Sequence, residues 1–149
     1  MTLVELLIVI GVIGVLVGSL VILINPAAQL RKTRDATRKS DLSQIRSALE
    51  LYRSDIGNYP PEADITTGGV LNCSTAFTGG SPANTYMQRV PCDPLNAVPY
   101  KYYYDSPTVA TYSLIACLED TKDTQKDSSN NSAYCTGGTT NWSYTVINP

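Results

Sequence analysis

MTLVELLIVIGVIGVLVGSLVILI, residues 1–24, decides how the rest of the chain is read. Apart from Thr2, Glu5 and Ser19 it is apolar, and Glu5 is its only charged side chain. As a helix it runs about 36 Å, enough to cross a hydrocarbon core about 30 Å thick. The apolar stretch of a cleaved secretory signal is shorter, about 7–15 residues, so this segment is expected to stay in the protein as a membrane anchor. A carboxylate in such a helix is costly unless it is paired or near the interface. The segment's own cation is the α-amino group of Met1. A neighbouring copy staggered by about one helical turn would bring that amine to Glu5.

Beyond the anchor the composition changes. All other charged side chains follow residue 24, yet the whole chain of 149 residues is only 16% charged, with a net charge of -2. That balance makes no overall electrostatic case for nucleic acid. Histidine is absent, which excludes the usual Ser-His-Asp and Cys-His chemistries and zinc or haem sites held by histidine. Tyrosine supplies most of the aromatic surface, with 10 residues against one Trp and one Phe. An enzyme is not expected.

No Lys or Arg precedes the apolar run, while Arg31, Lys32, Arg34, Arg38 and Lys39 follow it closely. Taken alone, the positive-inside rule would leave the remaining chain in the cytoplasm. Four cysteines in a small body rich in Gly, Pro and Asn instead indicate an oxidising compartment. A short basic leader, removed just before Met1, reconciles the two, and Met1 is expected to be a processed N-terminus.

Asn25-Pro26 interrupts the apolar run, and a second helix is expected from there, because Asn caps well and Pro suits the first helical position. Gly11, Gly14 and Gly18 weaken the first helix by about 1 kcal/mol each, which places a weak point between Gly11 and Gly18. From Ala27 to Ile56 the pattern is helical. Leu42, Ile45, Leu49, Tyr52 and Ile56 step by three and four and form one apolar stripe, the face expected to pack on the head. Upstream the matching positions are Arg31, Asp35 and Arg38, so this half is expected to face solvent, lipid headgroups or other subunits. RKTRDATRKS lacks interleaved aromatics and is diluted by Asp35 and Asp41, so DNA binding is not assigned to it.

Gly57 and Pro60-Pro61 end the second helix. From Glu62 to Ala97 a long loop is expected, with a short helix near Thr85–Val90. Strands follow at about Tyr100–Asp105, Ala110–Leu118 and Trp142–Ile147, with Tyr100, Tyr102 and Tyr104 alternating as in a half-buried strand. Glu119–Thr140 is polar, and its Asp120, Asp123, Asp127 and Asn130 do not follow an EF-hand spacing, so it is read as a solvated loop without metal. The cysteines Cys73, Cys92, Cys117 and Cys135 allow three connectivities. The simplest pairs sequence neighbours, Cys73 with Cys92 and Cys117 with Cys135, each bridge stabilising by about 3 kcal/mol. Asn72, Asn130 and Asn141 each begin an N-x-Ser sequon.

Thr2-Leu3-Val4-Glu5-Leu6-Leu7-Ile8-Val9-Ile10 resembles the mature N-terminus of type IV pilins and type II secretion pseudopilins, the class III-signal prepilins. The resemblance implies cleavage by a prepilin peptidase before Met1, N-methylation of Met1, and Glu5 neutralising the Met1 amine of the next subunit. It also implies local melting of the first helix in a filament, around Gly11, Gly14 and Gly18. ALELYRSDIGNYPP resembles the helix exit of major pseudopilins and related pilins, and Val90–Asp93 with Val98–Tyr102 resembles the start of their first strand. Major pseudopilins hold calcium in a loop comparable to Glu119–Thr140, and in the family a second disulfide staples that loop.

The expected fold is α+β: an apolar anchor over 1–24, an amphipathic helix over 25–56 and a small antiparallel β-sheet head over 57–149. The expected function is the major pilin of a type IV pilus, a homopolymeric helical filament on the bacterial surface with adhesion or twitching motility downstream. Its partners would be copies of itself, the prepilin peptidase, an inner-membrane assembly platform and, before assembly, the membrane. Alternatives are a major pseudopilin of a type II secretion system and a membrane-anchored extracellular binding domain.

Overall fold

The computed structural model describes residues 2–149, with the side chains of residues 20–24 excepted. The chain divides into two compact units, Met1–Thr33 and Arg34–Pro149.

The first unit contains helix α1, Leu3–Ile24, and the opening turns of helix α2, Pro26–Ile56. α1 runs unbroken through Gly11, Gly14 and Gly18. In a single chain each glycine keeps its place in the helical ladder, and the flanking Val, Ile and Leu carry the helix across. The interruption falls at Asn25, which takes a left-handed conformation, φ 45° and ψ 76°. Asn tolerates that region better than other side chains. Its carbonyl then accepts from the Ala28 and Gln29 amides at 3.0 and 3.3 Å, so α2 starts immediately with Pro26 in its first turn. Among the described residues no helix is long and apolar enough to cross a membrane. The span expected over 1–24 includes Met1 and the side chains of 20–24, which lie outside the described residues.

The second unit is an α+β head. Gly57 closes α2 with φ +90°, donating its amide to the Arg53 carbonyl at 2.8 Å. A single turn, α3 (Glu62–Ile65), leads into β1 (Thr66–Thr67) and β2 (Val70–Leu71). Two more short strands, β3 (Phe77–Gly79) and β4 (Asn84–Met87), form a separate antiparallel pair. The long strands are β5 (Tyr103–Thr108), β6 (Thr111–Leu118) and β7 (Trp142–Ile147). The main sheet has the order β1-β2-β5-β6-β7, with every pairing antiparallel.

Three differences from the sequence expectation concern the chain before β5. Glu62–Ala97, expected as a long loop, carries α3 and β1 to β4, short elements held by pairing with one another and with β5. Thr85–Val90 is not a helix: Asn84–Met87 is β4, paired with β3. This pairing lays Phe77 and Tyr86 on the Tyr52 ring at 5.4 and 5.1 Å. Gly79 approaches so closely that a Cβ there would run into the Tyr52 ring. The first long strand begins at Tyr103 rather than Tyr100, because residues 97–100 form a tight turn closed by an Ala97–Tyr100 bridge.

Leu42, Ile45, Leu49 and Tyr52 of α2 are buried against Tyr102, Tyr104, Tyr112, Leu114 and Ala116. Ile56 is the exception at 41% exposed: it lies in the last turn, beyond the sheet, and its Cδ1 rests beside Gly80. The opposite face of the sheet is also covered. Tyr103, Ile115 and Cys117 pack with Cys135 and Tyr134, which the 119–141 loop brings back over the strands. The tyrosine run therefore fills two cores, with Tyr102 and Tyr104 toward the helix and Tyr103 toward the loop.

Leu49→Ala is expected to destabilise the protein by about 2–5 kcal/mol in denaturant unfolding. Leu51→Ala, at a side chain 60% exposed, is expected to stay within about 0.5 kcal/mol of the parent.

Candidate functional site

On α1 every side chain from Thr2 to Ser19 is exposed. Leu, Ile and Val thus form a continuous apolar surface, far from what an isolated water-soluble helix presents, and such patches mark contact with protein or lipid. At its start Thr2 and Glu5 form a capping box: the Glu5 amide donates to Thr2 Oγ1, and the Thr2 amide donates to Glu5 Oε2, both at 3.3 Å. Two of the helix's otherwise unpaired amides are satisfied in this way. Met1, the expected site of methylation and the source of the amine for a neighbour's Glu5, lies outside the described residues.

In the head the charged half of α2 does something the sequence reading missed. Arg38 is 0% exposed. Its Nε and Nη2 grip the two Asp93 carboxylate oxygens at 2.6 and 3.1 Å, while Nη1 donates to Asp35 Oδ1 at 2.7 Å and to Glu119 Oε1 at 2.9 Å. One turn earlier Arg34 grips Glu119 in a second fork, with two bonds of 2.6 Å. Asp35 also accepts the backbone amides of Glu119 and Asp120 at 2.9 and 2.8 Å. The Tyr100 ring closes over the Arg38 guanidinium at 4.8 Å. Burial works against the Arg38 charge, but the hydrogen bonds and field of Asp93, with those of Glu119 and Asp35, hold it firmly protonated.

The expectation that this half of α2 avoids its own core is thus corrected. Asp35 and Arg38 continue the stripe of Leu42 by the same steps of four and three, with ions in place of hydrocarbon. Three of the five cations after the anchor, Arg34, Arg38 and Lys39, are paired within the head. Arg31 and Lys32 remain on the exposed surface.

The disulfides join Cys73 to Cys92 and Cys117 to Cys135. Cys92 adjoins Asp93, and Cys117 lies two residues before Glu119, so each crosslink holds an Arg38 partner close to its place. The second one also staples the 119–141 loop to β6. Within that loop Asp120 caps the Lys122 amide at 3.0 Å. Asp127 accepts the amide and hydroxyl of Thr145 at 3.0 and 2.6 Å. Asn130 accepts the Ser143 amide at 2.9 Å and donates to the Cys135 carbonyl at 2.8 Å. Calcium takes about 6–8 oxygen ligands around one point. These acceptors serve separate protein groups, and among the described residues no group of three Asp, Glu or Cys is placed to hold a metal ion. The loop does not fit the calcium associated with comparable loops. Of the three sequon asparagines, Asn141 is fully buried, bonded to Thr136 Oγ1 at 2.7 Å.

A family model described as type II secretion system (T2SS), protein G matches residues 25–133, from the start of α2 into the polar loop. The chain belongs to this family. It is a pilin or pseudopilin in the broad sense, and a long helix on an antiparallel sheet is the corresponding architecture. No curated protein and no solved structure matches the chain. The family match contains the whole Arg38 network, Arg34 through Glu119, together with three of the four cysteines.

Removing Arg38 leaves Asp35 and Asp93 buried without their cation. Arg38→Met is expected to cost about 3–5 kcal/mol in urea unfolding. The network also sets an acid response. The hydrogen bond from Arg34 lowers the Glu119 carboxyl below its usual 4.5, against an opposing effect of burial. The unfolded chain therefore binds this proton more readily, so the stabilisation is complete above about pH 4.5 and fades as pH falls through the lower folded value. Asp41 carries the opposite sign, because burial raises its carboxyl despite the Tyr102 hydroxyl bonded to it at 2.6 Å. Comparison with a single variant cancels that contribution. Glu119→Gln is expected to melt lower at pH 7 and to lose less stability than the parent between pH 5 and pH 3, as read by thermal melts.

Proposed function

We propose that this chain is a structural subunit, the major pilin, of a type IV pilus. The observation that carries this reading is α1: an exposed apolar helix led by Glu5, on a chain whose head already has a complete core of its own. In the assembled filament the α1 helices of many copies bundle together, and the heads form the outer wall. Moving the helix from lipid into a bundle gains little from water exclusion, so close packing and the pairing of Glu5 with the next subunit's Met1 amine supply the register. Before assembly α1 anchors the subunit in the inner membrane, after a prepilin peptidase has cut ahead of Met1 and the new terminus has been methylated. The subunit works by scaffolding, and no catalytic role is assigned to it. Adhesion and twitching belong to the finished fibre at the cell surface.

The second reading is a major pseudopilin of a type II secretion system, since the family match supports a pilin-like subunit of either system. Both readings need a filament, and they differ in where it stands.

Electron microscopy of material sheared from cells is expected to show long fibres built of this chain. Glu5→Ala is expected to abolish them while the subunit still accumulates in the membrane. Fibres formed normally by Glu5→Ala subunits would overturn the Glu5–Met1 pairing as the source of register, and the absence of any fibre of this chain would end the filament reading. A filament that stays short and within the envelope would shift the assignment to the secretion pseudopilus.

A further inference from the structure

A cation of the protein's own lies against the start of the 119–141 loop. Lys39 follows Arg38 on α2. Its ammonium donates to Asp123 Oδ2 at 2.6 Å and to Gln125 Oε1 at 2.9 Å, with the Tyr144 ring 5.7 Å away. The other oxygen of Asp123 accepts the Gln125 amide at 2.8 Å, and the Asp123 amide donates to the Asp120 carbonyl at 3.1 Å. Residues 120–125 thus fold as one tight turn around the lysine's acceptors. Both side chains are mostly shielded, 19% and 18% exposed, which sets this pair apart from a fully solvated ion pair. Further along, the Lys126 ammonium sits 3.8 Å from the Trp142 ring, and the Trp142 indole donates to the Asp127 carbonyl at 2.7 Å.

We propose that the Lys39 ammonium fastens this loop to the head, so the loop closes without calcium. A calcium ion drawn to Asp123 would have to displace Lys39 or sit against it, like charge against like, with the remaining loop carboxylates committed elsewhere. Burial would raise the Asp123 carboxyl, but the hydrogen bonds from Lys39 and the Gln125 amide, with the Lys39 charge, together outweigh it and leave the carboxyl below its usual range. The inference is independent of whether the filament is a pilus or a pseudopilus.

The test uses the full chain in detergent, with trypsin, which can cut after Lys122 and Lys126 inside the loop. Cleavage of the parent is expected to be slow and equally slow in millimolar calcium chloride and in EGTA. Lys39→Met is expected to be cut about tenfold faster in both, as a locally opened segment should be. Slower cleavage of the parent in calcium, or a calcium-induced rise in its melting temperature of more than about 4 °C, would overturn the proposal. Unchanged cleavage of a folded Lys39→Met chain would overturn it as well. Near-UV circular dichroism reports whether that variant folds. If it does not, Lys39→Arg decides: protection in EGTA supports the internal cation, and protection only in calcium refutes it.

Discussion

A guanidinium with no exposed surface governs this head. Arg38 reaches carboxylates 55 and 81 residues away along the chain, and each must be in place for the charge to be tolerated. A buried ion pair adds little net stability over well-packed hydrocarbon, but an incomplete one is severely unfavourable. The network therefore acts as a constraint on arrangement. Turning α2 by one residue swings Arg38 through about 100° and strands its partners. The apolar contacts of Leu42 and Leu49 would tolerate some sliding, whereas the two bidentate forks would not. Cys92 and Cys117 lie beside this centre, so the crosslinks and the ions bear on the same two loops.

Much of the architecture was legible because it rests on local patterns. The apolar run, the Asn-Pro interruption, the 3-4 stripe and the Gly-Pro exit mark two helices and their ends. β5, β6 and β7 announce themselves by β-branched and aromatic residues. β1 to β4 do not, being two to four residues long, too short to show an alternation. They exist because distant segments pair with them. The ionic centre was hidden for a related reason. Asp35 and Arg38 are in phase with Leu42, but charge in a sequence ordinarily marks solvent, and the partners at Asp93 and Glu119 meet them only once the chain has folded. The second aromatic core was equally obscure, since nothing in Tyr103 itself tells of the loop that returns to cover it.

The two units differ in what they leave open. The head meets the needs of its buried polar atoms internally, and none of those described is left without a partner. The described part of α1 presents hydrocarbon on all sides, with its one carboxylate turned back to its own first turn. Such a division suits a subunit whose head is finished before assembly and whose helix is completed by other copies. In that setting the capping box keeps Glu5 ordered at the helix start until a cation competes for it.

The 119–141 loop is tied down at a few points: its start, Asp123, Asp127, Asn130 and Cys135. Between them Lys122, Thr124, Ser128, Ser129, Ser132 and Ala133 point outward. Evolution can rewrite those positions without disturbing the helix–sheet core, since the strand face beneath is sealed by other atoms. The outer coat of the head can thus change residue by residue while the frame beneath stays constant.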